Sequence, residues 1–410
     1  MTTGSHTLPF FRDHHSHPYL YAATRSSPDL RGITDQAAAL ECLSACQAPL
    51  NMALGWNDAC YDIRGPVFDA MAPLVVFNAS LHGLILNAGA RHVMQEKYPE
   101  LIAHLDDPVW MEAHTASLLD LIVRICPVTP ASLTAFYTDL ADQGIWIADE
   151  MSLSGEAELA CFDEAKLAGR TRFWVDPDTF SGLPAHRRAQ VQGIKLFTDG
   201  SLGARTAALQ EPFSLDNRGV LNFSDLLLES RISQAYAWDK AVAIHAIGDR
   251  ALEQVVSVLE MVRETGRAYP ETRVEHAQFI NRDQATRLRR MGCRLCMQPN
   301  FSTDSEIYAD RLSPAAARKN NPFRMLIDDI GYVPGRDLIF GSDGMPHGVE
   351  TAVHAALFPP YPGQVLSIDE LVAGYGIGDA SPGKVTVTVD EAARRVSVTA
   401  TLYPGSIHGK

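Results

Sequence analysis

One lysine stands inside an apolar run that has the composition of a buried β-strand. The run is Gly-Ile-Lys-Leu-Phe at residues 193–197, and Thr198, Asp199 and Gly200 follow it as a turn typical of a strand end. A buried ammonium group is costly unless it is paired or neutralised, and desolvation lowers the pKa of an amine. Reaction with CO2 would turn Lys195 into a carbamate with two metal-binding oxygens. This interpretation depends on metal ligands at other strand ends.

Short apolar runs alternate with amphipathic helical stretches along the 410 residues, which predicts βα units and a parallel sheet. Ten runs have strand character, whereas a (β/α)8 barrel needs eight. If residues 193–198 form strand four, residues 9–15, 145–149 and 172–175 form strands one to three. Strands five to eight are then residues 242–246, 273–279, 294–298 and 338–342.

The two surplus runs, residues 49–55 and 74–81, fall in a long insertion between strands one and two, at roughly residues 22–140. After strand eight, two strictly alternating runs at residues 384–389 and 395–400 predict a β-hairpin. The predicted fold is therefore α/β: a (β/α)8 TIM barrel with a long insertion after strand one. A reduced β-sandwich or β-hairpin element is expected at the C-terminus.

Composition limits the partners and the setting. A hydrophobic fraction of 46% with 20% charged residues is typical of a globular chain, and the net charge of −14 argues against nucleic acid or an anionic membrane as the main partner. Seven scattered cysteines do not predict a disulfide framework or a zinc knuckle. No apolar run approaches the ~20 residues of a membrane span, and a signal-peptide pattern is absent, so we expect a cytoplasmic protein.

We expect the barrel with its insertion at residues 9–360, the small β element at residues 361–410, and, by base rate, a homodimer.

Candidate metal ligands lie in or just after the C-terminal halves of five of the predicted strands. His15 and His17 close strand one two residues apart, so strand alternation places both on one face and His14 on the other. Taken singly, each candidate is explained as well by a core histidine, a turn residue or a helix N-cap. In a (β/α)8 barrel, however, the C-terminal strand ends converge on one mouth. The candidate set suits Zn2+ or another borderline divalent ion and consists of His15, His17, Lys195, His245, His276 and Asp343.

Several longer strings resemble the amidohydrolase superfamily, and more closely amidohydrolase family 3, the branch that contains N-substituted formamide deformylase. The resemblance covers roughly residues 10–350. Its strings are residues 193–205, Ile-His-Ala-Ile-Gly-Asp-Arg-Ala at 244–251, Arg-Val-Glu-His-Ala-Gln at 273–278, Met-Gln-Pro at 297–299 and Gly-Ser-Asp at 341–343. Ser80, Leu81, His82 and Asn87 also resemble that branch's insertion. Such enzymes usually carry a β-sandwich segment before strand one, whereas this chain opens almost directly on that strand, so we expect a reduced accessory sheet or one rebuilt from the tail alone.

The resemblance implies a binuclear metal-dependent hydrolase of a C–N bond in a small amide, formamide or cyclic amide, with two Zn2+ ions per chain. One ion would be held by His15, His17 and Asp343, and the second by His245 and His276. Carboxylated Lys195 would bridge the two ions. Asp343 would accept a proton from the attacking water and pass it to the leaving amine.

Five other polar residues near these motifs are weaker candidates for the substrate pocket, because a turn, a salt bridge or a supporting role explains each of them equally well. They are His82, Asp199, Arg205, Gln278 and Asp304. His347 and His354 follow strand eight and are expected on a surface helix or loop.

Two alternative functions stay open. The first is a mononuclear deaminase, or an ester or lactone hydrolase, on the same scaffold; Lys195 argues against the deaminase because such enzymes generally lack a bridging lysine. The second is an inactive barrel that serves as a binding protein. The complete ligand set opposes this alternative, because drift without function would erode costly buried polar groups. The identity of the substrate does not follow from the sequence.

Overall fold

The computed structural model describes residues 3–79, 81, 83–213, 217–263, 268–377 and 381–405. Its strands are β1 (Thr3–Leu8), β2 (Phe11–Ser16), β3 (Asn51–Trp56), β4 (Leu74–Asn78), β5 (Leu84–Leu86), β6 (Ile145–Leu153), β7 (Thr171–Val175), β8 (Val191–Phe197), β9 (Ala241–Ala246), β10 (Thr272–His276), β11 (Arg294–Met297), β12 (Leu338–Phe340), β13 (Gly383–Asp390) and β14 (Arg395–Leu402).

The α-helices of the described residues surround these strands. They are α1 (Pro18–Thr24), α2 (Gln36–Leu43), α3 (Pro66–Asp69), α4 (Ala88–Lys97), α5 (Pro99–Ala103), α6 (Pro108–Ala113), α7 (Thr115–Ile125), α8 (Pro130–Asp142), α9 (Glu156–Glu164), α10 (Pro177–Gly182), α11 (Ala185–Arg188), α12 (Asp225–Ala237), α13 (Asp249–Val262), α14 (Arg282–Arg290), α15 (Asp304–Ile307), α16 (Pro314–Ala317), α17 (Val349–Leu357) and α18 (Ile368–Gly374). In this described part of the chain, no single helix is long and apolar enough to cross a membrane. One helix pair, bent by 107°, passes only when both parts are counted together.

Eight parallel strands form the central sheet in the order β12, β11, β10, β9, β8, β7, β6, β2. The two edge strands meet, because the backbone N–H of Asp343 donates to the carbonyl oxygen of His15 at 2.7 Å. The backbone N–H of Ser342 also donates to Asp13 Oδ1 at 2.9 Å. The predicted (β/α)8 barrel is confirmed, and Lys195 lies on its fourth strand.

The barrel strands are nearly continuous apolar runs because both of their faces are covered. All six residues of β9 are buried, as expected for a parallel strand between a barrel interior and an outer helix. Outside it, α13 buries Leu252, Val255, Val256 and Leu259 at helical spacing. This packing holds the strand ends, and the side chains they carry, in fixed positions.

The insertion between β2 and β6 forms a small sheet, β3-β4-β5, covered by helices. Its location agrees with the two surplus strand runs of the sequence. It contacts the loop after β8, since Thr206 Oγ1 donates to Glu112 Oε2 at 2.7 Å, and the loop after α15, since Arg311 forms an ion pair with Asp58. The insertion therefore covers the C-terminal mouth of the barrel.

The predicted C-terminal hairpin is present as β13 and β14, and β1 pairs antiparallel with β13. The accessory sheet is therefore reduced to three strands, as expected, but it is not rebuilt from the C-terminal tail alone, because β1 supplies one strand. Residues Thr3–Leu8 have little apolar periodicity, so their strand depends on the partner strand rather than on local pattern. Val385, Val387 and Val389 are buried against the barrel. The division at residues 360 and 361 stays a prediction.

Candidate metal centre and active-site cavity

Three of the predicted ligands form one close group at the barrel mouth. His17 Nε2 lies 3.2 Å and His15 Nε2 3.6 Å from the same oxygen, Asp343 Oδ1. One ligand atom from each of the three residues lies within 4.8 Å of the others. Two imidazoles and a carboxylate at this spacing can hold one divalent ion.

The other three candidates lie beside this group. The ring centroid of His276 is 4.6 Å from that of His15 and 4.5 Å from that of His245. Lys195 Nζ lies 3.5 Å from His15 Nε2, and its side chain is almost fully buried. The fold thus places all six sequence-predicted ligands in one site.

Hydrogen bonds determine which nitrogen each imidazole presents. Glu275 Oε2 lies 2.5 Å from His15 Nδ1, and Gln298 Oε1 lies 2.8 Å from His276 Nδ1. Because both oxygens accept, the proton of each ring is on Nδ1 and the lone pair is on Nε2. His245 differs, since its Nε2 lies 3.1 Å from the carbonyl oxygen of Gly200 and its lone pair is therefore on Nδ1.

Sequence reasoning missed Glu275 and Gln298, although both stand inside the quoted motif strings. Simple alternation places Glu275 and His276 on opposite faces, yet both contact His15. The backbone explains this, because His276 and Ala277 have φ values of 67° and 49°. Asp343 also adopts a positive φ of 56°. Non-glycine residues rarely occupy this region, and such strain concentrates at functional sites.

The electrostatics of the site suit metal binding. Burial lowers the pKa of Lys195 to about 8 and that of His15 to about 4. Burial opposes ionisation of Asp343, but His15, His17 and Lys195 together lower its pKa to about 2. At neutral pH Asp343 is therefore a carboxylate, His15 is a neutral imidazole, and Lys195 has a larger neutral fraction than an ordinary lysine. These are the forms that coordinate metals and react with CO2.

A buried arginine supports Glu275 from inside the barrel. Arg273 donates from Nε to Glu275 Oε1 at 2.8 Å and from Nη1 to Asp149 Oδ2 at 3.0 Å. It also donates from Nη2 to the carbonyl oxygen of His14 at 2.6 Å. Burial raises the pKa of Glu275, whereas Arg273 and His15 lower it by more, so the carboxylate stays ionised. Arg273 thereby connects the barrel interior to the orientation of His15.

Two of the weaker candidates have structural contacts. Asp199 is buried and accepts from the backbone N–H groups of Ala208, Ile247 and Gly248 at 2.9, 3.0 and 2.9 Å. It therefore joins the loops after β8 and β9, and its Oδ1 lies 3.4 Å from His245 Nε2. Arg205 is 42% exposed and pairs with acidic residues of the insertion and of the loop after α15. His82 lies outside the described residues.

His347 differs from its prediction as a surface residue. Its Nε2 lies 2.7 Å from Ser16 Oγ, and its ring packs against Tyr21 and Phe136. The chain folds back over α1 after β12, which places the imidazole in an apolar setting, and burial lowers its pKa to about 3. The same prediction is confirmed for His354, which is exposed on α17.

The cavity at the mouth has two lobes that meet at His245, His276, Asp343 and Met345. The insertion lobe has apolar walls that include Leu20, Leu81, Leu119 and Phe197. The loop lobe is lined by Gln278, Phe301, Asp304 and Tyr308 among others. Two of the weaker sequence candidates, Gln278 and Asp304, thus line the cavity beside the candidate ligands.

Gln298→Leu is expected to weaken metal binding by about 10–100-fold, because loss of the acceptor at Nδ1 frees the ring and tautomer of His276. The apparent Kd for Zn2+ would be measured by chelator competition on metal-free protein. Gln190→Leu, at an exposed position paired with Asp163, is the matched control. Equal affinity of the Gln298 variant and the native chain would contradict this role.

Comparisons with known proteins agree with the fold and the site. A family model described as the amidohydrolase family matches residues 131–355, which include Lys195, His245, His276 and Asp343. The chain belongs to the amidohydrolase family, as its motif strings predicted. His15 and His17 precede the matched residues, so their assignment depends on the geometry described above.

Two curated proteins are similar to part of the chain. The chain is 38% identical over 219 residues to the putative amidohydrolase YtcJ of Bacillus subtilis strain 168, an alignment that spans 47% of this chain and 40% of that protein. It is 28% identical over 239 residues to the protein LONG AFTER FAR-RED 3 of Arabidopsis thaliana, spanning 50% and 40% respectively. The chain thus aligns with less than half of each curated relative.

Among solved structures, an uncharacterized metal-dependent hydrolase from Pyrococcus horikoshii OT3 is similar with a TM-score of 0.66 and 22% identity. The match covers 91% of this chain and 80% of that one. A related hydrolase from Pyrococcus furiosus is similar with a TM-score of 0.65 and 21% identity. At this identity the likeness establishes a shared fold.

Proposed function

We propose that this chain is a metal-dependent hydrolase that cleaves a C–N bond in a small amide, formamide or cyclic amide. The observation that carries the proposal is the convergence of four histidines, one aspartate and one buried lysine at the mouth of the barrel. The group formed by His15, His17 and Asp343 supports the proposal most directly, because one ligand atom of each residue lies within 4.8 Å of the others.

A divalent metal fits this donor set. The accepting oxygens of Glu275 and Gln298 orient His15 and His276 with Nε2 as the ligand atom. A first ion would be held by His15, His17 and Asp343, and a second by His245 and His276. When bound, the metal supplies Lewis-acid polarisation of the substrate carbonyl and acidifies water. Zn2+ is the proposed ion because it favours nitrogen and carboxylate ligands in this combination.

Lys195 is proposed as a carbamate that contacts both ligand groups. The neutral amine adds to CO2 and releases one proton, so a neutral group becomes an anion with two oxygens. Burial favours this step because it lowers the pKa of the amine to about 8. The distance of 3.5 Å between Lys195 Nζ and His15 Nε2 supports this assignment, because carbamate oxygens would then lie beside the proposed ligands of the first ion.

Asp343 is proposed as the proton carrier. Its carboxylate is ionised at neutral pH and lies between the two cavity lobes. It accepts a proton from water as the oxygen of that water bonds to the carbonyl carbon. It then gives the proton to the nitrogen as the C–N bond breaks, which releases a carboxylic acid and an amine. The apolar walls of the insertion lobe exclude bulk water and bind the hydrocarbon part of the substrate.

Removal of the metal is expected to abolish hydrolysis, and Zn2+, Co2+ or Mn2+ is expected to restore it. Chelated and reloaded protein would be assayed against a panel of formamides, acetamides and cyclic amides, with elemental analysis of the bound metal. Near two ions per chain at full activity supports the binuclear assignment. Full activity at one ion per chain would contradict it.

The same assay separates the alternatives. Ammonia as the only nitrogen product from amino-substituted rings favours a deaminase. Turnover restricted to esters or lactones favours an ester or lactone hydrolase. Metal-loaded protein that is inert on every compound favours a binding protein. A small-molecule substrate is the proposed partner, and a homodimer stays a prediction.

A further inference from the structure

Gln278 in the loop lobe has an acceptor atom without a donor. Its side chain is 1% exposed, and its Nε2 donates to Asp304 Oδ2 at 2.8 Å and to Asn320 Oδ1 at 3.1 Å. The orientation of the amide is determined, because Asn320 uses its own Nδ2 to donate to the carbonyl oxygen of Phe301 at 2.8 Å and so presents Oδ1 to Gln278. Gln278 Oε1 is left buried with no partner among the described residues.

Asp304 is the second acceptor of this lobe. It lines the cavity together with Gln278, and the amide of Gln278 is its one recorded side-chain hydrogen-bond donor. In the described part of the chain it takes part in no ion pair within 4.0 Å. Burial raises its pKa to about 7, as expected for a carboxylate without a cation beside it. Gln278 Oε1 and the Asp304 carboxylate can therefore each accept a hydrogen bond from a molecule outside the chain.

The charges of the cavity point the same way. Among the described residues that line the two lobes, none is a lysine or an arginine, and the two acidic residues are Asp304 and Asp343. Away from the proposed metal ligands, an anionic substituent in the loop lobe would meet two acceptors and no lysine or arginine of the lining, whereas a protonated amine would satisfy both acceptors.

We propose that the loop lobe is a specificity subsite in which Asp304 and Gln278 bind a nitrogen hydrogen-bond donor of the substrate, with a protonated amine preferred and an anionic group rejected. The inference rests on the proposed amide hydrolysis, since the subsite adjoins His245, His276 and Asp343. The substrates it favours are amides that carry an amino group a few bonds from the scissile nitrogen.

A second acidic cavity offers the main competing location. It is lined by Asp120, Glu150, Glu158 and Asp176, and it shares His17, Leu20 and Leu119 with the insertion lobe. Its carboxylates already have donors from the chain: Tyr19 N–H for Glu150, Ser154 for Glu158, Thr179 for Asp176 and Arg124 for Asp120. Asp304 accepts from one neutral amide, whereas Glu150, Glu158 and Asp176 each accept at least two hydrogen bonds and Asp120 pairs with Arg124, so the loop lobe is the better site for an added amine.

Three matched formamides test the subsite on metal-loaded protein: N-(4-aminobutyl)formamide, N-pentylformamide and 4-formamidobutanoate. We expect kcat/KM to be highest for the amine and lowest for the carboxylate, with about tenfold or more between the extremes, equivalent to ~1.4 kcal/mol. Asp304→Asn removes the charge at constant shape and is expected to remove the preference of the amine over the neutral compound. Asp369→Asn, on the exposed side of α18, is the control for a general change in charge.

A carboxylate substrate that is turned over as well as the amine by the native chain would overturn the inference and leave amide hydrolysis intact. Loss of the preference in Glu158→Gln but not in Asp304→Asn would overturn it in favour of the acidic cavity. If no amide is hydrolysed, the proposed function fails first, and calorimetric binding of pentylammonium then decides. Binding that weakens in Asp304→Asn supports the subsite, and absence of binding to the native chain overturns it.

Discussion

Replacing Lys195 with alanine is expected to lower kcat/KM by about 10³-fold or more, the effect of removing a group that stabilises the charged transition state. Lys195 Nζ lies 3.5 Å from His15 Nε2, and Lys195 is the one lysine of β8, so the proposed carbamate would form beside the first ligand group. Alanine leaves a cavity and no anion there. Metal content is expected to fall in parallel, because two proposed ligand oxygens are lost.

The measurement combines kinetics, metal analysis and chemical rescue. A small carboxylic acid such as propionate fills the vacated space and is expected to restore part of the activity, which a merely misfolded variant would not show. Native protein equilibrated with 13C-labelled CO2 is expected to give one carbamate resonance that Lys195→Ala lacks. Lys240→Ala is the control, since Lys240 donates to the backbone of β8 from the outer surface. Undiminished activity of Lys195→Ala would exclude the bridging role.

The second large effect is expected from Arg273→Met. Arg273 is buried and forms ion pairs with both Asp149 and Glu275 while it donates to the backbone of β2. Its removal leaves buried Glu275 without its guanidinium partner, whereas Asp149 keeps its ion pair with Arg12. Breaking a buried ion pair by removing one partner typically costs about 3–5 kcal/mol. Methionine has a similar length, so the loss reports the charge rather than the volume.

Urea unfolding of metal-free protein, at one pH and salt concentration, gives the comparison. Arg395→Met is the control, because Arg395 is 78% exposed and its ion pair is expected to contribute less than about 1 kcal/mol. A loss below about 1 kcal/mol for Arg273→Met would mean that Glu275 takes up a proton or a water molecule instead. Weaker metal binding by the same variant is expected, since Glu275 orients His15.

Much of the architecture followed from local pattern. Parallel barrel strands are buried on both faces and appear as short apolar runs, so their order, the place of the insertion and the position of Lys195 on strand four were predictable. The first strand, β1, was not, because its residues pair with β13 across more than 370 positions and carry no apolar period of their own. Local propensity contains no information about such a distant partner.

The ligand candidates were predictable as residue types at strand ends, and their meeting at one mouth followed from barrel geometry. Their orientation was not. Positive φ angles at His276, Ala277 and Asp343 override the alternation of a strand and bring Glu275 into contact with His15. His347 was misplaced for a similar reason, since the turn after β12 folds it against α1.

By itself, the sequence determined a barrel with candidate metal ligands at its strand ends, because residue type and spacing state which side chains close each strand. The tertiary structure alone decided the rest: which nitrogen of His15, His245 and His276 has the lone pair, how Arg273 supports Glu275, and that no lysine or arginine is among the described residues lining the loop lobe. These properties depend on distances between residues far apart in the chain. Hydrogen bonds and charge pairs act over a few ångströms, so only the folded backbone establishes them.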